Sequence, residues 1–117
     1  MTEVTVLIKD SIVSIEADGH AGFADHGEDI VCAAISVLMQ TAVNSLEKVA
    51  GIPENRIILE MDEDGYMYLE KPAKLDEAMD VKAEIVLQTV LTGLEGIAEA
   101  YPQYIKLYKR EVQTYND

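Results

Sequence analysis

Cys32 is the only cysteine of the 117-residue chain, and both histidines, His20 and His26, precede it in one short segment. That segment reads Gly19-His20-Ala21-Gly22-Phe23-Ala24-Asp25-His26-Gly27-Glu28-Asp29-Ile30-Val31-Cys32-Ala33-Ala34-Ile35-Ser36. Cysteine attacks as the thiolate, and an imidazole that reaches it supplies the other half of a Cys–His pair, here His20 beside Cys32. Asp29 reads as the N-cap of a helix, its carboxylate accepting N–H bonds from the next turn. Cys32 then becomes the third helical residue, inside the first turn, where free N–H groups and the helix dipole favour an anion. Ala33 and Ala34 leave the sulfur uncrowded. Ser36 lies one turn further along the same face. Its hydroxyl can donate to a substrate carbonyl or bond back to its own helix, the commoner role for a helical serine.

Other readings of the same residues compete with this one. A lone cysteine is more often a small buried hydrophobe than a nucleophile, and sequence separation says nothing about the distance between His20 and Cys32. His20, His26 and Cys32 recur every six residues, and with Asp25 or Asp29 they make a four-ligand set for zinc. The spacing fits no standard zinc motif, so His26 reads as an exposed loop histidine. Glu60, Asp62, Asp64 and Gly65 resemble the start of a calcium-binding loop, but Lys71 stands at the twelfth position where such a loop needs glutamate. A hairpin turn accounts for them better. No cofactor and no metal is therefore expected. Tyr66, Tyr68, Tyr104 and Tyr108 read as a packing stripe on a sheet, without chemistry.

The elements that position these residues follow from periodicity. Val4, Val6 and Ile8 alternate with Glu3, Thr5 and Lys9, the pattern of a half-buried strand. Asp10-Ser11 is a turn, and a second strand presents Val13, Ile15 and Ala17. The loop from Asp18 to Glu28 has three glycines and one large apolar residue, Phe23. Val31, Ile35, Leu38, Ala42, Leu46 and Val49 recur at helical spacing until Gly51 and Pro53 stop the helix. Arg56 to Asp62 and Tyr66 to Glu70 form a hairpin around Asp64-Gly65. Asp76 caps a second long helix with Met79, Ile85, Leu87, Val90, Leu91, Leu94 and Ile97 on its apolar face. Gly93 and Gly96 weaken it locally or allow close packing. Pro102 ends it, and Tyr104 to Val112 is a last strand. The order ββαββαβ predicts a single α+β domain over residues 1–117, in two layers with both helices on one face of a sheet.

Composition narrows the function class. Asp and Glu number 22 against 9 Lys and Arg, a net charge of −13. Such a field disfavours nucleic acid and anionic bilayers and favours a basic partner. Hydrophobic residues reach 49%, enough for an ordinary core rather than a disordered acidic tail. No signal peptide or membrane-spanning stretch is expected. A lone free thiol suits the reducing cytoplasm.

The segment from 19 to 36 strongly resembles the ribosomal-processing cysteine protease Prp family, through Gly19-His20-Ala21 and Asp29-Ile30-Val31-Cys32-Ala33-Ala34-Ile35-Ser36. The likeness extends over essentially the whole chain in length and element order. It implies a cytoplasmic bacterial endopeptidase with Cys32 as nucleophile and His20 as general base. Asp29 and Ser36 match positions associated with the active site and substrate binding; His26 matches none. The resemblance further implies a homodimer and a mobile loop before the catalytic helix. It implies as substrate the N-terminal extension of bacterial large-subunit ribosomal protein twenty-seven, cut after an apolar segment that ends in paired phenylalanines. Two alternatives are a non-catalytic acidic module associated with the ribosome or its assembly factors, and a small metal-binding regulator using His20, His26 and Cys32.

Overall fold

A computed structural model of the chain describes residues 1–19 and 26–112, with the side chains of His26 and Glu28 outside the description. The chain runs β1 (Thr2–Lys9), β2 (Ser11–Asp18), α1 (His26–Lys48), a short 3-10 turn (Glu54–Arg56), β3 (Ile58–Met61), β4 (Tyr66–Glu70), α2 (Glu77–Ala100) and β5 (Ile105–Glu111). The strands form one five-stranded sheet in the order β3-β4-β2-β1-β5. All pairs are antiparallel except β1 with β5. That parallel pair requires a long crossover, which α2 supplies. Both helices cover one face, so the predicted two-layer α+β arrangement with ββαββαβ order is what the chain adopts.

The β1–β2 hairpin turns through Asp10, whose φ is 64°. Its register shifts between Leu7 and Ile8, which pair with Ser14 and Ile12. This bulge leaves Val13 without a partner on β1 and turns Ile12 toward the core, fully buried like Ile15. The expected inward set of Val13, Ile15 and Ala17 is therefore corrected to Ile12, Ile15 and Ala17. Val4 and Val6 face the same side, and Met67, Leu69 and Ile105 extend the buried layer across the sheet.

Val31, Ile35, Met39, Ala42 and Leu46 of α1 close over that layer, and Ala83, Leu87, Val90, Leu91 and Leu94 of α2 join them. Two expected core residues are exposed: Val49 at 59% and Ile85 at 62%. Val49 lies beyond the helix end, where Gly51 at φ +78° turns the chain. Ile52 N–H then donates to Leu46 C=O, and Ala50 and Ile52 take the buried places. Gly93 lets the helices approach closely, since a Cβ there would sit 3.0 Å from the Leu38 methyls; Gly96 has nothing near it. By length and composition residues 29–48 would suffice to cross a bilayer, against the expectation that no stretch would. In this fold the apolar face of that helix is core.

Outward positions of the sheet alternate with the buried ones. Tyr66, Tyr68 and Tyr108 lie on this open face, paired with Asp18, Glu16 and Thr5. Tyr104 does not join them: it precedes β5 and packs partly buried against the core.

Candidate functional site

The structure departs from the sequence reading at the start of α1. The helix begins at His26, so Asp29 is not its N-cap but a residue of its first turn. Cys32 is the seventh helical residue, nearly two turns in. The earlier start has a packing cause. Gly27 lies flat on the ring of Tyr104, where a Cβ would come within 2.7 Å of Cε2, so the chain is already helical where it meets β5. Asp29 still puts an acid in the first turn, where the dipole favours it. The free N–H groups of the helix start precede Cys32 by a turn.

Along α1, Asp29, Cys32 and Ser36 share one line and face a cleft of about 270 Å³ between the helix and the end of the sheet. Thr2, Ala17 and Gly19 line it from β1 and β2, and Met61, Asp62, Glu63, Gly65 and Met67 from the β3–β4 hairpin. Ala17, Ile35 and Met67 form a buried apolar floor, and Met61, 54% exposed, stands at the rim. Cys32 is half-buried and unpaired. Its Sγ lies 3.5 Å from Thr2 Oγ1. The Asp29 carboxylate is exposed. Ser36 is exposed as well and has no hydrogen-bond partner among the described residues, whereas Thr89 and Thr92 of α2 bond back to their own helix.

The hairpin wall owes its shape to Asp62. Its Oδ1 accepts from the N–H groups of Asp64 and Tyr66, 2.8 and 3.1 Å away, while Gly65 turns the chain at φ 92°. Of the carboxylates that suggested calcium, Asp62 and Asp64 thus belong to the turn and Glu60 to strand β3. Among the described residues, the charged ones that line the cleft, Asp29, Asp62 and Glu63, are all acidic.

His20, Phe23 and Asp25 lie outside the described residues, and so does the side chain of His26. Gly19, the residue before His20, lies on the cleft. Among the described residues no three His, Cys, Asp or Glu side chains gather in a metal-binding arrangement. Sequence reasoning missed Thr2 and Met61, because no local pattern marks residues that reach a helix from a strand thirty or so positions away.

A free thiol beside two polar helix positions on an open cleft can serve as a nucleophile, and comparison with known proteins assigns the family. The sequence model of the family described as Cysteine protease Prp matches residues 1–106. The chain belongs to the Prp family of cysteine proteases. The Ribosomal processing cysteine protease Prp of Bacillus subtilis is 36% identical over 97 residues, covering 82% of this chain and 84% of that protein. Among solved structures, SMU.848 from Streptococcus mutans superposes with a TM-score of 0.84 at 32% identity, covering 96% of each chain. The ribosomal processing protease Prp of Staphylococcus aureus, crystallised with a substrate peptide, has a TM-score of 0.79 at 26% identity over 94% of this chain and all of that one. A second crystal structure of that Prp holds a covalently linked product peptide. The fold that carries Cys32 is thus the fold of Prp proteases.

Proposed function

We propose that this protease removes the N-terminal extension of bacterial large-subunit ribosomal protein twenty-seven, using Cys32 as nucleophile and His20 as general base. The observation that carries the reading is the line of Asp29, Cys32 and Ser36 on one open cleft that is also lined by Gly19, the residue before His20 in sequence. The names of the relatives in Bacillus and Staphylococcus support ribosomal processing, and the covalent product complex of the Staphylococcus protease supports a covalent route.

In this mechanism the Cys32 thiolate attacks the scissile carbonyl carbon, and the C–N bond breaks as imidazolium His20 gives its proton to the leaving amine. Water, deprotonated by His20, attacks the resulting thioester. The carboxylate product leaves and the sulfur is restored. Ser36, one turn beyond Cys32 and without a hydrogen-bond partner among the described residues, donates to a substrate carbonyl oxygen in this reading. The apolar floor of Ala17, Ile35 and Met67, with Met61 at the rim, suits the large apolar residues before the cut. The acidic rim of Asp29, Asp62 and Glu63 suits a basic protein after it. The protein works in the cytoplasm as a homodimer; exposed Val81 and Ile85 on α2 offer an apolar surface for a second copy.

The test is mass spectrometry of a peptide that spans the processing site of the ribosomal protein. One cut is expected, after the terminal phenylalanines, with none by purified Cys32→Ala. Cleavage that survives Cys32→Ala rules out cysteine catalysis; no cleavage at that junction by an enzyme with a reactive thiol removes the ribosomal substrate.

A further inference from the structure

The nucleophile proposed above faces a cleft whose described charged side chains carry negative charge. Every charged side chain described along its cleft is acidic: Asp29 from its own helix, Asp62 and Glu63 from the hairpin. Cys32 also lies beyond the first turn of α1, where the dipole acts most strongly. A sulfur that becomes an anion there needs a fixed hydrogen-bond donor. The described residues hold one, the hydroxyl of Thr2, 3.5 Å from Sγ.

The position of that hydroxyl is held from several sides. Thr2 is only 3% exposed. Its backbone N–H donates to Tyr104 C=O over 2.9 Å, and it pairs with Ile105 in the parallel ladder. Tyr104 in turn carries the helix start through Gly27. Opposite, Gly19 lies flush on the side chain: a Cβ there would stand 2.8 Å from Thr2 Oγ1 and 3.4 Å from its Cγ2. The glycine before His20 thus leaves the space that the threonine fills. One contact point therefore joins β1, β5, the start of α1 and the chain that leads to His20.

We propose that Thr2 is a positioning residue for the Cys32 nucleophile. A hydroxyl both accepts and donates. Beside the thiol, Oγ1 accepts from S–H and aims the sulfur. Beside the thiolate, the hydroxyl turns and donates O–H to sulfur, stabilising the anion that attacks. No atom is transferred between the two residues; the proton of the thiol goes to the general base. The inference rests on the cysteine-protease reading, and its primary readout does not require cleavage.

The experiment compares the parent with Thr2→Val, which keeps the shape and removes the hydroxyl, and Thr2→Ser, which keeps the hydroxyl. Iodoacetamide labelling of the single cysteine is followed at fixed neutral pH, with circular dichroism as the check on folding. Thr2→Val is expected to slow labelling by about tenfold or more, the scale of one hydrogen bond to a charged group. Thr2→Ser is expected to stay close to the parent. In infrared spectra the S–H stretching band, unique to Cys32, shifts in Thr2→Val and not in Thr2→Ser. With the cognate peptide, kcat falls in Thr2→Val while KM stays within about threefold, the signature of an interaction with the reacting group rather than with bound substrate. Equal labelling in parent and Thr2→Val overturns the proposal, and so does an equal loss in both variants, which marks a packing role. If Thr2→Val does not fold, Thr2→Ser decides: a lost band position or slowed labelling despite the retained hydroxyl overturns it. A parent that labels as expected but cuts no peptide defeats the protease reading and leaves the Thr2 comparison intact.

Discussion

At the scale of single residues the proposed mechanism gives the two histidines different roles. His20 follows Gly19, which lines the cleft, in sequence, whereas His26 is the first residue of helix α1. Losing a general base typically costs ~10²–10⁴ in rate. His20→Ala should therefore be nearly inactive in the peptide assay, and His26→Ala should change kcat only modestly. The opposite ranking of the two variants in steady-state kinetics would reassign the base to His26.

At the scale of elements, the two helices begin in different ways, and substitutions should report it. Asp76 is a true N-cap: its Oδ1 accepts from Met79 N–H over 2.8 Å. Asp29 lies inside α1 with its carboxylate exposed on the cleft. Asp76→Ala should cost about 1 kcal/mol in urea unfolding, whereas Asp29→Ala should stay within about 0.5 kcal/mol and still lower turnover. Equal destabilisation by both would restore Asp29 as a cap. The open face of the sheet supplies an alkaline signature. Tyr66 O–H donates to Glu16 Oε2 over 2.8 Å, and that bond, with partial burial, pushes the phenol up to about 12 from its ordinary 10.0. Tyr68 is raised in the same direction by its bond to Glu70. A phenol that holds its proton more tightly when folded stabilises the fold fully below its unfolded pKa and loses that contribution as pH rises toward the folded one. Stability should thus fall between about pH 10 and 12, and less steeply in Tyr66→Phe. Identical pH profiles for the two proteins in denaturant melts would show that the Glu16 bond is absent in solution.

At the scale of the whole molecule, charge governs encounter. The net charge of −13 and the acidic cleft rim attract a basic substrate through space, an effect that salt screens. Raising ionic strength from about 0.05 to about 0.5 M shortens the screening length severalfold. It should lower kcat/KM for a peptide with lysines after the cut several-fold, and leave kcat at saturating peptide nearly unchanged. A peptide whose lysines are replaced by neutral residues should lose most of that salt dependence. Salt effects of equal size on both peptides would assign recognition to the apolar segment alone.

What the sequence determined by itself was local or compositional. Alternation in β1, the cap at Asp76, the Asp64-Gly65 turn and the helical spacing of Val31, Ile35, Ala42 and Leu46 depend on neighbours a few residues apart. Patterns of that range therefore disclosed the elements and their order, and the segment from 19 to 36 disclosed the family. Other features depended on packing between distant segments. The bulge that buries Ile12, the start of α1 at His26 against Tyr104, the exposure of Ile85 and the apolar floor beneath Cys32 all follow from how strands and helices meet. So does the contact between Thr2 and Cys32, thirty residues apart in sequence. Periodicity records which face of an element is apolar; only the assembled sheet decides which side chain from another element stands against it, because that depends on register and close approach rather than on residue type.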